Sequence, residues 1–164
     1  MSRLATARSF GDLHIVCPTI LMGEQLAQHS SSSNSSSSSS SNKPPFYFSY
    51  RLMQHLGIPG LPYQPWMGVQ HTDDLMYLFA PVLATKAEDK QLSEVMLAAW
   101  SSFVNTGHPG VAGWEQAFSG EGSGQQQQQA KSTRHFALKA SGASMVSGAY
   151  QALCDGFWKA KIVQ

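Results

Sequence analysis

Histidines are the side chains most able to do chemistry in this sequence, and one of the six, His71, stands apart. It follows a segment rich in proline and glycine, residues 57–68, and two carboxylates, Asp73 and Asp74, lie within three residues of it. An imidazole on such a loop can act as a general base, because the ordinary pKa of histidine lies close to neutral pH. Most histidines are surface or structural residues, so spacing alone makes His71 only a candidate.

The sequence motifs of several other kinds of site are missing. It contains no H-x-x-x-H pair and no cluster of cysteine and histidine, so we expect no metal. The glycine-rich run at 120–124 adjoins polyglutamine instead of joining a strand to a helix, which indicates a flexible linker and not a phosphate loop. The nucleophile elbow G-x-S-x-G is absent, since the nearest match, at 142–146, ends in valine. We therefore expect no cofactor.

Composition excludes several classes of partner. The net charge is +1, which lacks the strong basic footprint of a nucleic-acid binder. No apolar run reaches the ~18–20 residues that a membrane span needs. The first 18 residues hold no long apolar stretch followed by a small-residue cleavage site, so they predict no signal peptide. We expect neither nucleic acid nor a membrane span.

The elements that must position His71 are mainly helices. The clearest runs over 85–106, with a capping-box pattern from Thr85 to Glu88 and with Gly107 ending it. Its apolar residues recur at helical spacing and predict a core-facing side: Leu92, Val95, Met96, Ala99, Trp100 and Phe103. Three further helices are predicted: one after Pro18, one from a Thr72 cap to Pro81, and an amphipathic one from about Tyr150 to Lys161.

Strands are few in this prediction. Alternating apolar residues at 13–17 suggest a short strand, and 136–138 can form another. The aromatic run at 46–50 favours a strand buried on both faces, as in a parallel sheet, over an edge strand with one exposed stripe. The alternation of strands and helices indicates the α/β class. Because two or three strands leave apolar faces uncovered, we expect a piece of a larger α/β domain.

Two low-complexity tracts interrupt this pattern. Residues 30–42 are serine except for Asn34 and Asn42, and 120–133 are rich in glycine and glutamine. Such tracts bury too little apolar surface to offset their ordering entropy, so we expect both to be disordered insertions. The chain 1–164 is otherwise predicted to be one fragment of a single domain.

Taken together, the motifs are similar to those of one family. The sequence carries G-V-x-H-x-D-D at 68–74, W-x-x-F at 100–103, T-G-x-P at 106–109 and C-x-x-F-W at 154–158. In this order they resemble the C-terminal third of the type-B carboxylesterase/cholinesterase family. The resemblance runs from about Phe10 to Lys161, broken by the two tracts. It implies the C-terminal portion of an α/β-hydrolase fold, with few strands and packed helices.

The resemblance also implies roles for single residues. His71 matches the catalytic histidine of a Ser–acid–His triad, which acts as general base and then as general acid. Asp74 matches a carboxylate that supports the site, although it could equally be an ordinary helix-start charge. Trp66 matches a tryptophan near the active-site gorge, and packing at a hinge is the simpler interpretation. Thr72 departs from the family, in which glycine is common after the histidine.

The two cysteines fit the same family pattern. Cys17 and Cys154 match the cysteines of a disulfide found in cholinesterase-type members, and two buried free thiols are the alternative. Members with this bridge are usually secreted or face the cell exterior, so we expect that location for the parent protein.

The resemblance leaves this chain with only part of the catalytic machinery. The nucleophilic serine, the triad acid and the oxyanion hole are expected upstream, so the parent would hydrolyse small-molecule carboxylic esters while the isolated chain is inactive. Two alternatives remain open: a cholinesterase-like adhesion or binding module that keeps the histidine without the serine, and a truncated gene product.

Overall fold

The computed structural model of the protein describes residues 3–32, 47–58, 60, 62–118, 133–148 and 150–162. Most of the two predicted insertions, 33–42 and 120–132, therefore lies outside the described residues. The helices are α1 (Arg3–Gly11), α2 (Cys17–Ser32), α3 (Asp73–Phe79), α4 (Ala87–Thr106), α5 (Gln151–Leu153) and α6 (Lys159–Ile162). The strands are β1 (Tyr50–Leu52), β2 (Arg134–Leu138) and β3 (Ser144–Ser147).

The residues divide into two compact units. The first comprises Met1–Ser49, Gln116–Arg134 and Val146–Gln164, and the second comprises Tyr50–Glu115 and His135–Met145. The second unit contains every residue of the candidate catalytic segment at 66–74, whereas both cysteines belong to the first.

The first unit begins with helix, where the sequence had suggested a strand. A π-helical turn, Asp12–Val16, joins α1 to α2, so the strand predicted at 13–17 is wrong. Alternation over three apolar residues is too short to decide between strand and helix. Burial follows helical spacing instead, since Cys17, Ile20 and Leu21 are the buried positions at the start of α2.

The helix predicted after Pro18 is confirmed as α2. Proline is tolerated there because it stands in the first turn, where its missing N–H costs least. The neighbouring Thr19 hydroxyl donates a hydrogen bond of 2.7 Å to the Ile15 carbonyl oxygen and so satisfies an acceptor in the π-helical turn.

A disulfide between Cys17 and Cys154 forms the centre of the first unit, as the family resemblance implied. The Cα atoms are 5.3 Å apart, the bond spans 137 residues of sequence, and both side chains are fully buried. Both cysteines of the chain are therefore bonded, and the free-thiol alternative is wrong. Ile20 completes the buried cluster, against which four partly buried residues pack: Val16, Tyr150, Trp158 and Ile162.

The last helical segment confirms the helix predicted from Tyr150, with a π-helical turn, Cys154–Trp158, between α5 and α6. Its buried face is narrower than predicted, since Leu153 and Phe157 are exposed. Polar contacts tie it to α2. The Gln151 amide donates to Glu24 over 2.9 Å, and the Lys159 ammonium lies 3.6 Å from the same carboxylate. The bridge and these contacts join two segments that are far apart in sequence.

The described strands form a three-stranded sheet in the order β1-β2-β3, and β1 and most of β2 belong to the second unit. β1 pairs with β2 in parallel, with Tyr50 opposite Phe136 and Leu52 opposite Leu138. The strand predicted at 136–138 is confirmed. The aromatic strand starts later than predicted, with only Tyr50 of the run in β1, and it lies at an edge of the described sheet. Residues 47–50 are half-buried, so burial on both faces is wrong and the exposed aromatic stripe of the alternative is not seen among them. β3 was not predicted, because Ser144–Ser147 lacks any strong alternation.

The helix predicted at 85–106 is confirmed as α4. Gly107 ends it in the left-handed conformation at φ 76°, and its N–H donates to the Phe103 carbonyl. The predicted capping box is wrong, because the N-cap residue is Lys86 and not Thr85. Lys86 makes no side-chain capping hydrogen bond. Within the predicted stripe, Leu92, Met96 and Ala99 are buried, Val95 and Trp100 are half-buried, and Phe103 is exposed.

Candidate active site

His71 lies in a turn whose shape is fixed by two residues with positive φ. A short 3₁₀ helix, Pro65–Met67, leads to Gly68 at φ 62° and ψ −152°, a conformation that only glycine adopts readily. Thr72 follows the histidine at φ 79°, immediately before α3. The glycine of the G-V-x-H motif therefore has a conformational reason, and Thr72 is strained where glycine would not be.

The His71 side chain is exposed to solvent. Within the described ranges, no residue forms a hydrogen bond with its ring. An exposed imidazole in a defined turn can accept a proton from a group brought against it and can return that proton to another atom. Among the residues that the structure describes, no carboxylate is hydrogen-bonded to the ring to orient it.

Asp74 is half-buried, and its carboxylate contacts Tyr50 of β1. The Tyr50 hydroxyl donates a hydrogen bond of 2.6 Å to Asp74 Oδ2, which links β1 to the first turn of α3. Burial raises the pKa of Tyr50, and the hydrogen bond and charge of Asp74 raise it further, so the phenol stays protonated and remains a donor. Asp74 therefore anchors the helix that follows His71.

The neighbouring carboxylate, Asp73, makes a different set of contacts that sequence reasoning missed. Its Oδ2 atom lies 2.7 Å from His55 Nδ1 and accepts a bond of 2.9 Å from the backbone N–H of Gln70. The His55 ring also stacks on Tyr63, with ring centroids 3.8 Å apart. Eighteen residues separate His55 from Asp73, and no spacing in the sequence signals the pair.

A buried polar network holds α3 against α4. Asp89 on α4 is 2% exposed, and it accepts hydrogen bonds from the Tyr77 hydroxyl at 3.0 Å and the Gln54 amide at 2.5 Å. Ser93 donates to the Tyr77 carbonyl oxygen. Burial raises the pKa of Tyr77, and its hydrogen bond to Asp89 contributes to the same shift. This network fixes the helix that carries both Asp73 and Asp74.

Trp66 lies in the 3₁₀ helix that leads into the turn. Its side chain is 46% exposed, so half of the ring remains open to solvent. Its place on the entry to the His71 turn is compatible with either a site-lining or a hinge-packing role.

Three other histidines have contacts that the structure describes. His135 is buried in β2, and burial lowers its pKa, with the charge of Arg51 adding to the effect. His108 Nδ1 accepts the Gly110 N–H at 2.9 Å, and the exposed His14 packs its ring against Phe10. Among the residues that the structure describes, no group of three potential metal ligands is found, and no helix could span a membrane.

Comparison with known proteins places the chain. The model of the carboxylesterase family matches residues 1–152. The bile salt-activated lipase of Bos taurus is 43% identical over 51 residues, covering 29% of this chain and 8% of that protein. The lipase of the same name from Rattus norvegicus is 40% identical over 53 residues, covering 30% of this chain and 9% of that protein. The acetylcholinesterase of Bungarus fasciatus is 25% identical over 103 residues, covering 60% of this chain and 14% of that protein.

The chain thus matches only a small part of each of these relatives. The family has an α/β-hydrolase fold, and a small sheet with packed helices is compatible with part of it. The order of the sequence motifs and the length of the family match both support membership of this family. This chain belongs to the carboxylesterase family.

Proposed function

We propose that the whole protein that contains this chain hydrolyses carboxylic esters, with His71 as its catalytic histidine. The observation that carries the proposal is the exposed imidazole of His71, held in a turn defined by Gly68 and Thr72 in a chain of this family. Family membership supports the reaction class, and the turn supports the choice of this histidine over the five others.

The chemistry follows from the position of the ring. His71 takes the proton of a serine hydroxyl as that oxygen attacks the ester carbonyl carbon, and it then gives the proton to the departing alcohol oxygen. A water molecule hydrolyses the resulting acyl-serine by the same proton transfers. This chain contains no G-x-S-x-G, so the serine, the acid and the oxyanion donors would come from other parts of the whole protein.

Asp74 supports the site without touching the substrate in this proposal. Its bond to Tyr50 holds the start of α3, and the turn that carries His71 leads directly into that helix. Trp66 would line the approach to the ring, since its exposed face stands at the entry to the same turn.

Kinetics of the whole protein test the role of His71. We expect His71→Gln to lower kcat for p-nitrophenyl butyrate by at least about 10³-fold with a similar KM, because a triad histidine acts only on the proton transfers. His14→Gln is the matched control, since His14 is also exposed but lies in the other unit. A kcat for His71→Gln close to that of the control would refute the role of His71.

Two further results would separate the alternatives. If the whole protein with an intact His71 hydrolyses no ester but retains a folded structure, the adhesion or binding interpretation replaces the enzymatic one. The chain alone should release no burst of nitrophenol, since it lacks a nucleophile elbow. A stoichiometric burst from the chain alone would show that it carries its own nucleophile.

The disulfide supports an extracellular or otherwise oxidising location for the whole protein. Such bonds persist outside the reducing cytosol, and the Cys17–Cys154 bond lies in the centre of the first unit. Mass spectrometry after alkylation of the native, unreduced protein should find neither Cys17 nor Cys154 alkylated. Alkylation of either cysteine without prior reduction would contradict this location.

A further inference from the structure

We infer that His55 and Asp73 form a positioning pair that fixes the turn carrying His71. The inference rests on the proposed function for its catalytic meaning, but its structural part can be tested without any activity. Neither residue touches the His71 ring among the described contacts, so the pair would act through the backbone of the turn.

Hydrogen bonds of Asp73 hold the turn closed. One carboxylate oxygen of Asp73 accepts both the Gln70 N–H and the contact from His55 Nδ1. The backbone N–H of Asp73 in turn donates to the Gln70 carbonyl oxygen over 3.2 Å. Gln70 and Asp73 therefore close a four-residue turn, and His71 is the second residue of that turn. Any loosening of the Asp73 side chain frees the backbone on both sides of the imidazole.

His55 is suited to hold that carboxylate in place. An ionised carboxylate only accepts hydrogen bonds, so the proton of the pair belongs on His55 Nδ1. The side chains of His55 and Asp73 are only 18% and 12% exposed, which protects their bond from the screening that weakens surface pairs. Stacking on Tyr63 fixes the plane of the His55 ring and so aims Nδ1 at Asp73.

The adjacent Asp74 shows that the contact is specific to one carboxylate. Asp74 stands next to Asp73 in the first turn of α3, yet its partner is the Tyr50 hydroxyl. The two carboxylates thus share the effect of the helix dipole and differ in which segment they hold. Glu94, which is exposed on α4 in the same unit, supplies the control carboxylate for effects on the turn.

Amide hydrogen exchange of the chain, followed by NMR, tests the structural part. His55→Phe keeps a ring to stack on Tyr63 but removes the donor, and His55→Asn keeps an N–H near the position of Nδ1 but removes the ring. We expect the Gln70 amide to exchange about 10–100-fold faster in His55→Phe, the factor expected for losing a hydrogen bond to a charged group. In His55→Asn and Glu94→Ala the rate should remain within about threefold of wild type. The amide of the buried Met96 in α4 reports global stability and should not change.

Two exchange results would overturn the inference. Unchanged exchange at Gln70 in His55→Phe would show that the turn does not depend on His55. Equal acceleration in His55→Phe and His55→Asn would assign the effect to ring packing instead of the hydrogen bond. If amide exchange at Met96 is also faster in His55→Phe, global stability has changed. The ratio of the Gln70 exchange rate to the Met96 exchange rate is then compared between His55→Phe and His55→Asn, and equal ratios count against the inference.

Activity of the whole protein distinguishes positioning from catalysis by His55 itself. A histidine whose Nδ1 faces a carboxylate has the arrangement of a general base, so this competing role needs its own test. A positioning role predicts that His55→Phe lowers kcat about 10-fold or more and that His55→Asn restores most of it. If His55→Asn lowers kcat as far as His71→Gln does, His55 is the base and the positioning role is wrong. A third outcome is faster exchange at Gln70 in His55→Phe together with full activity of His71→Gln. It would support the structural role of the His55–Asp73 pair and refute the proposed catalytic role of His71.

Discussion

Reduction of the Cys17–Cys154 disulfide should lower the free energy of unfolding of the chain by about 5 kcal/mol. The bond closes a loop of 137 residues, and the chain-entropy model assigns a loop of that length about 5 kcal/mol at 25 °C. Small domains are stable by only about 5–15 kcal/mol, so the loss would remove a third or more of the total. Since the cysteines lie at the centre of the first unit, that unit should lose its structure first.

Urea unfolding followed by circular dichroism measures this effect with and without a phosphine reductant. The double variant Cys17→Ala/Cys154→Ala is the control for the reductant, because its unfolding curve should not respond to it. Deletion of residues 30–42 tests the loop-length dependence. The model predicts a change of only about 0.1 kcal/mol in the disulfide contribution, since the entropy varies with the logarithm of loop length.

A reductant effect below about 1 kcal/mol on the wild-type chain would refute the reasoning. It would mean that the denatured chain is already compact around these segments, or that packing in the first unit does not need the cross-link. A deletion that changes the disulfide contribution by more than about 1 kcal/mol would refute the loop-entropy account separately.

Three smaller perturbations of the second unit have defined outcomes. Thr72→Gly should raise the free energy of unfolding by about 0.5–1 kcal/mol, because relief of the strain at φ 79° exceeds the added unfolded-state entropy; a loss of stability in urea unfolding would contradict this. Asp89→Ala should lower the free energy of unfolding by about 3–4 kcal/mol, because it leaves buried donors without their acceptor. Asp155→Ala on the exposed surface is the control and should lower it by less than about 0.5 kcal/mol. Equal losses in the two variants would contradict the network. Burial and Asp74 raise the pKa of Tyr50 in the folded state, so the contribution of Tyr50 to stability should be constant below pH 10 and should be lost above it. Tyr50→Phe should therefore reduce the fall in stability seen in thermal melts at pH 9–11.5, and an equally steep fall in the variant would remove Tyr50 as a cause.

Elements with long periodic patterns could be predicted from the sequence. The 20-residue α4 has several turns over which apolar spacing repeats, so its extent and its Gly107 end were correct. The disulfide followed from the family pattern around each cysteine. Cys17 and Cys154 are 137 residues apart, and no local rule could have paired them.

Short or non-local features could not be predicted. The alternation at 13–17 covers less than one and a half helical turns, and helical burial of Cys17 and Ile20 decided the outcome. β3 has four residues, two of them serine, and its pairing in the sheet gives it a stability that its own composition does not.

The candidate site shows the same division. The sequence made His71 and Asp74 candidates through a local motif, and their roles remain predictions. It could not reveal that Asp73 binds His55 while Asp74 binds Tyr50, because each contact joins segments that only the fold brings together. The strain at Thr72 is visible only in the backbone, although its departure from the glycine of the family already marked the position.

The rate at which a fluorophosphonate probe labels the whole protein tests the central claim most directly. Such a probe reacts rapidly with a serine hydroxyl when a neighbouring general base removes its proton, and it reports that step without turnover or product release. We expect labelling of His71→Gln to be at least about 10³-fold slower than labelling of wild type, and His14→Gln to label at the wild-type rate. Labelling of His71→Gln at the wild-type rate would show that another group activates the serine and that His71 is not the catalytic histidine.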